Sequence, residues 1–117
     1  MNIEELRTYC LSLPHTTEDF PFDEETLVFK VGGKIYLLTG LTGQFYINLK
    51  CDPEYAIELR EAHAAVRPGY HMNKKHWNTV DVDGSLSDGF LCELIAHSYQ
   101  QVVKTLTKKI RVELFGS

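Results

Sequence analysis

The chain reads as an α+β domain with the element order α-β(3)-α-β(2)-α and a short helix at its C-terminal end. Three observations predict it. Apolar residues recur at spacings of three and four near both ends, β-branched and aromatic runs fill the middle, and glycine-bearing turns join successive runs as hairpins.

The first helix begins at Asn2, whose side chain can cap free amides while Glu5, three residues on, reaches back. Ile3, Leu6, Cys10 and Leu13 then recur on one face, and Pro14 forbids continuation. The acidic stretch 15–25, interrupted by Phe20-Pro21-Phe22, is read as an extended arm and turn whose aromatics tuck onto the core. Thr26 to Val31 and Lys34 to Thr39 are strand-like, and the Gly32-Gly33 pair between them tolerates the positive φ angles of a type I′ turn. After a second turn, Gly40 to Gly43, the run Phe45 to Leu49 adds a third strand to the meander.

Asp52-Pro53 opens the next helix, a capping carboxylate followed by a proline whose missing N–H has no role in the first turn. This helix is expected to reach about His63, with Tyr55, Leu59 and Ala62 facing the core. Arg67-Pro68-Gly69 marks a turn or short edge strand, and Trp77 to Val82 alternates as a strand closed by Asp83-Gly84. Ser87 and Asp88 begin the longest helix, where Leu91, Leu94, Ile95, Ser98, Val102 and Leu106 form the buried stripe. Thr107 caps the short final helix, 108–115, whose early Lys108, Lys109 and Arg111 oppose its dipole.

A length of 117 residues with 44% apolar composition fits one domain, residues 1–117. No run approaches the roughly 18 apolar residues of a membrane span, and Glu4 and Glu5 stand where a secretory leader would be basic and then apolar. A monomeric cytoplasmic protein is expected. Cys10, Cys51 and Cys92, odd in number and far apart, read as reduced structural thiols, although Cys51 stands just before a helix start where a thiolate would be stabilised.

The net charge of −4 argues against a protein that coats nucleic acid indiscriminately. Its distribution is uneven. Residues 1–65 hold 11 acidic and 5 basic side chains, whereas residues 66–117 hold 5 and 7, so an anion site belongs to the second half. There the run from Gly69 to Asn78 gathers Tyr70, His71, Asn73, Lys74, Lys75, His76 and Trp77 around a turn. Lys74 and Lys75 suit phosphates, His71 and His76 can donate hydrogen bonds, and Tyr70 and Trp77 offer flat faces for stacking. Asn48 and Lys50 flank Leu49 at a strand end and share one face, which would enlarge the patch if it borders this turn. Lys104, Lys108, Lys109 and Arg111 could extend it further. A local reading competes: Trp77 anchoring its strand, His71 and Asn73 satisfying turn amides, and the lysines solvated.

Other chemistries find little support. The five-residue separation of His71 and His76, even with Cys51, matches no standard metal-ligand spacing. The carboxylates Glu4, Glu5, Glu18, Asp19, Asp23, Glu24 and Glu25 read as a solvated acidic face. No nucleophile with a base and orienting acid, phosphate loop or dinucleotide fingerprint is evident, so neither enzymatic activity nor a cofactor is expected.

Taken together, Asp19-Phe-Pro-Phe22, Thr26-Leu-Val-Phe-Lys30, Asn48-Leu-Lys-Cys-Asp-Pro53, Pro68-Gly-Tyr-His-Met-Asn-Lys-Lys-His-Trp77 and Val103-Lys104 resemble the MmcQ/YjbR family of small bacterial proteins, in order and over nearly the whole chain. The resemblance implies a two-layer fold, an antiparallel sheet with helices on one face, similar to frataxin-like CyaY and secretion-chaperone arrangements. It also implies DNA binding, with sheet hairpins acting as a double wing. The resulting expectation is a module that binds duplex DNA through Lys74, Lys75, His71, His76, Tyr70, Asn73, Trp77, Lys50 and Asn48. The rival is a protein-interaction adaptor in which Tyr70, Trp77 and the hairpin edge dock a partner chain.

Overall fold

The computed structural model describes residues 1–69 and 72–116. Helix α1 (Ile3–Ser12) leads into β1 (Thr16–Asp19), β2 (Thr26–Val31), β3 (Lys34–Gly40) and β4 (Tyr46–Lys50). There follow α2 (Pro53–Ala62), β5 (Val66–Pro68), β6 (Trp77–Asp81), α3 (Asp88–Thr105) and α4 (Lys108–Phe115). All six strands form one antiparallel sheet in the order β1-β2-β3-β4-β6-β5. The α+β class and the sequence of helices and strands are as expected, with one addition. The first meander has four strands, because Thr16–Asp19, read as arm, pairs with β2 from Thr16↔Val31 to Asp19↔Val28.

The helix starts follow their capping residues. Asn2 and Glu5 form the reciprocal capping box, Asp52 accepts from Tyr55 N at 3.1 Å, Ser87 from Phe90 N at 3.1 Å and Thr107 from Ile110 N at 3.2 Å. Gly32 and Gly33 occupy φ of 59° and 80° at the β2–β3 turn. A side chain at Gly32 would also meet Leu106 Cδ2 at 2.6 Å, so glycine lets the start of α4 close on the hairpin tip.

One face of the sheet is apolar. Register aligns Leu27, Thr39, Ile47, Val80 and Val66 across the strands, and Phe29, Leu37 and Leu49 beside them. Leu6 and Cys10 of α1, Ala56 and Leu59 of α2 and the stripe Leu91, Leu94, Ile95, Ser98 and Val102 of α3 bury this face. The α2 phase differs from expectation: Ala56 and Leu59 are buried, Tyr55 is half-buried and Ala62 is exposed. A bulge between Phe29 and Lys30 leaves Tyr36 as the extra residue on β3. It therefore turns inward beside Leu37, its hydroxyl 3.0 Å from Thr16 Oγ1 and 3.3 Å from the Cys10 carbonyl it donates to.

The arm departs from its sequence reading. Phe20 and Phe22 are 45% and 65% exposed instead of tucked into the core. Its shape is set by Asp23, which accepts from Glu25 N at 2.8 Å and Thr26 N at 2.7 Å, and by Leu41 N donating to Glu25 O at 2.8 Å. No helix is long and apolar enough to cross a membrane among the described residues.

Candidate nucleic-acid interface

Strand pairing assembles the polar face. Lys50 lies opposite Trp77, Asn48 opposite Thr79 and Tyr46 opposite Asp81, while Arg67 on β5 aligns with Thr79. Paired residues point the same way, so Asn48, Lys50, Trp77, Thr79 and Arg67 share the face away from the helices. Lys50 thus lies across from the residue that closes the turn carrying Lys74 and Lys75, and Asn48 lies two residues further along the same face.

The end of β4 is fixed by three consecutive amides. Lys50 N donates to Ser98 Oγ at 2.8 Å, Cys51 N to the His76 carbonyl at 2.7 Å and Asp52 N to His97 Nε2 at 3.2 Å. Ser98 in turn donates to the Tyr36 carbonyl, so one α3 hydroxyl ties β3 to β4. The backbone beneath Lys50 is therefore rigid while its side chain remains partly exposed. Cys51 is buried, and that burial, with the Asp52 carboxylate beside it, pushes its thiol up to about 11. It is a neutral core residue at pH 7, not the stabilised thiolate its place before α2 allowed. Burial drives the Cys10 thiol up as well, to about 12.

The 73–77 turn is held from both sides. Asn73 Oδ1 accepts from Lys75 N at 2.9 Å, and the Asn73 carbonyl accepts from His76 N at 3.1 Å and Trp77 N at 2.9 Å. Asn73 is thus an Asx-turn residue whose acceptor is occupied, the local role weighed for it. From α2, Arg60 donates through Nε to Asn78 Oδ1 at 2.6 Å, and through Nη2 to the Lys74 carbonyl and to the Trp77 carbonyl at 3.3 Å. Asn78 is 2% exposed and its amide also reaches the Ala56 carbonyl at 3.4 Å. Arg60 and Asn78 position the turn, and the sequence reading missed both. A side chain on Gly69 would come within 3.0 Å of Trp77 Cβ, which accounts for glycine at the β5 exit.

Lys74 and Lys75 are exposed, and His76 and Trp77 are partly exposed. Trp77 is therefore neither the core anchor of the local reading nor a free ring. Tyr70 and His71 lie outside the described residues. The terminal basic residues Lys104, Lys108, Lys109 and Arg111 belong to the helices, α4 lying against the β2–β3 tip, and do not share the strand face.

Several carboxylates of the acidic half of the chain are engaged elsewhere. Glu18 accepts from Arg7 Nε at 2.8 Å, and that guanidinium holds its carboxyl below the usual range. Asp19 pairs with Lys30 at 3.6 Å, Glu5 serves the α1 cap and Asp23 the arm. Asp81 pairs with Arg67 at 2.7 Å. Among the described residues no carboxylate lies within ion-pair distance of Lys50 or Lys75, and no group of three or more potential metal ligands occurs.

The family model YjbR matches residues 11–101. YbdF of Escherichia coli O157:H7 is 40% identical over 107 residues, covering 91% of this chain and 88% of that protein. YjbR of Escherichia coli K12 is 37% identical over 112 residues, 95% of each. The crystal structure of Deinococcus radiodurans DR2400 superposes with a TM-score of 0.91 at 48% identity, over 97% of this chain and 87% of that one. A Pseudomonas syringae crystal structure gives 0.74 at 31% identity, over 86% and 98%.

Proposed function

The chain belongs to the MmcQ/YjbR family, and from its open sheet face we propose that it binds nucleic acid, contacting phosphates and bases through the 73–77 turn and the adjoining strands. The observation that carries this reading is the convergence of Lys50, Trp77 and Asn48 on one face beside the exposed Lys74 and Lys75, with Glu5, Glu18, Asp19 and Asp23 of α1 and the arm committed to other partners.

The overall charge of −4 does not oppose it. At physiological salt the Debye length is about 8 Å, so an anion at this corner responds to the nearest cations more than to the molecular sum. Arg60 acts by holding the turn's carbonyls inward, which leaves the lysine side chains on the outer side to meet phosphates.

A salt titration with labelled oligonucleotides tests the reading. Log affinity falls linearly with log salt, and the double variant Lys74→Glu, Lys75→Glu flattens the slope by about two units. Affinity independent of salt and of both lysines would favour the adaptor reading.

A further inference from the structure

The polar face of the sheet is not flat. Between the arm and the β5–β6 connection lies a hollow of about 350 Å³, walled by Phe22 and Met72 and floored by Thr26, Leu38, Tyr46 and Asn48. Its volume falls in the range of small-molecule sites. Phe22 presents most of its ring to solvent. Tyr46 holds the Arg67 guanidinium 6.0 Å from its ring centroid, and Met72 adds a polarisable thioether. An aromatic wall and a thioether over a floor of tyrosine and leucine suit a flat ring.

The polar groups narrow the choice. Asn48 Oδ1 accepts from Thr79 Oγ1 at 2.7 Å, which orients the amide and leaves Nδ2 as the donor for an occupant. Thr26 Oγ1 is committed to Asp23 Oδ2 at 3.2 Å. Two residues along the same strand face, Lys50 offers a cation without an ion-pair partner among the described residues. An occupant therefore needs a planar apolar face, an acceptor at its edge and a negative charge one step away. A duplex cannot supply the first of these, because its ring faces are stacked inside the helix.

Building on the nucleic-acid reading, we propose that this hollow takes an unpaired base of a single strand. The base stacks against Phe22 and Tyr46, accepts a hydrogen bond from Asn48 Nδ2 and places an adjoining phosphate at Lys50. The molecule is then a single-strand binder that uses its sheet as a stacking platform, in place of the duplex binder expected from the sequence.

Fluorescence anisotropy on the full chain separates the possibilities with three labelled probes: a thymidine decamer, an abasic decamer with the same phosphates, and a hairpin duplex. The thymidine strand binds about tenfold tighter than the abasic strand, the scale of a stacked base. Phe22→Ala and Asn48→Ala each remove most of that difference and leave the salt slope unchanged. Thermal melts verify folding, which Phe22→Ala preserves because its ring is mostly exposed. Equal binding of the two decamers, or a preference for the duplex that Phe22→Ala leaves intact, overturns the stacking site while the phosphate reading stands. Failure of all three probes to bind overturns both.

Discussion

On the helix-covered face of the sheet, Leu27, Phe29, Leu37, Ile47, Leu49 and Val80 are each at most 3% exposed, whereas Leu38, Tyr46, Asn48, Lys50 and Trp77, which alternate with them on the same strands, stay partly exposed. The two sets differ by one residue of phase. On the first, any residue that fills the space under α3 serves, and stability constrains the choice. On the second, Asn48 satisfies the buried Thr79 hydroxyl, whereas the rings and the lysine keep exposed surface that packing does not use and that the proposed contact with nucleic acid does. The 73–77 turn lies at the junction: its carbonyls are drawn inward by Arg60 while its lysine side chains face out.

The sharpest break of this contrast comes from truncation on each face. Phe29→Ala, at a fully buried position, is expected to cost about 3–5 kcal/mol, a large share of the roughly 5–15 kcal/mol that holds a domain together. Lys50→Ala is expected to cost under about 1 kcal/mol in the same urea titration. Comparable losses at the two positions would remove the distinction between the faces.

A smaller effect is expected at the junction. Arg60→Ala removes the donor to the buried Asn78 Oδ1 and to the Lys74 carbonyl, while the Trp77 carbonyl keeps Gly69 N at 2.9 Å, and this costs about 1–3 kcal/mol. Hydrogen exchange should show the loss concentrated at the amides of residues 75–77. A uniform loss of protection across the sheet would mean that Arg60 supports the core and not the turn.

The fold was largely legible because its signals are local. Capping residues, the Gly32-Gly33 turn and the α3 stripe each lie within a few residues of the element they specify. Strand β1 was not legible: Thr16–Asp19 has no apolar alternation and is strand only because β2 offers it an edge. The α2 phase was misjudged because Tyr55 and Ala62 look as apolar as Ala56, and only the placement of α2 beside β5 and β6 selects between them. Half of the site was visible as a run of basic and aromatic residues. Arg60 and Asn78, 18 positions apart, meet through side-chain and backbone atoms that leave no pattern in sequence. The hollow at Phe22 was hidden for the opposite reason, since an aromatic pair around a proline reads as buried wherever its cover is unknown.

The least effect is expected from pH. Burial holds the His97 imidazole below its ordinary value of 6.5, and its neutral Nε2 accepts from Asp52 N at the start of α2. The folded state thus binds the proton less readily than the unfolded chain. His97 contributes stability that is complete above about pH 6.5 and is lost as pH falls through its lowered folded value. Below that, protonation of Glu18 adds a further loss. His97→Gln should flatten the first part of the stability profile measured by thermal melts, and an unchanged profile would show that the imidazole carries none of it.

The claim that the open face is the binding face is tested most directly by chemical-shift mapping of the ¹⁵N-labelled chain titrated with the thymidine decamer at low salt. The account expects the largest perturbations at Tyr46, Asn48, Lys50, Lys75 and Trp77, with the Asn48 side-chain amide among them. Perturbations centred on α1 or on Lys108 and Lys109 of α4, with the strand residues unmoved, would contradict it.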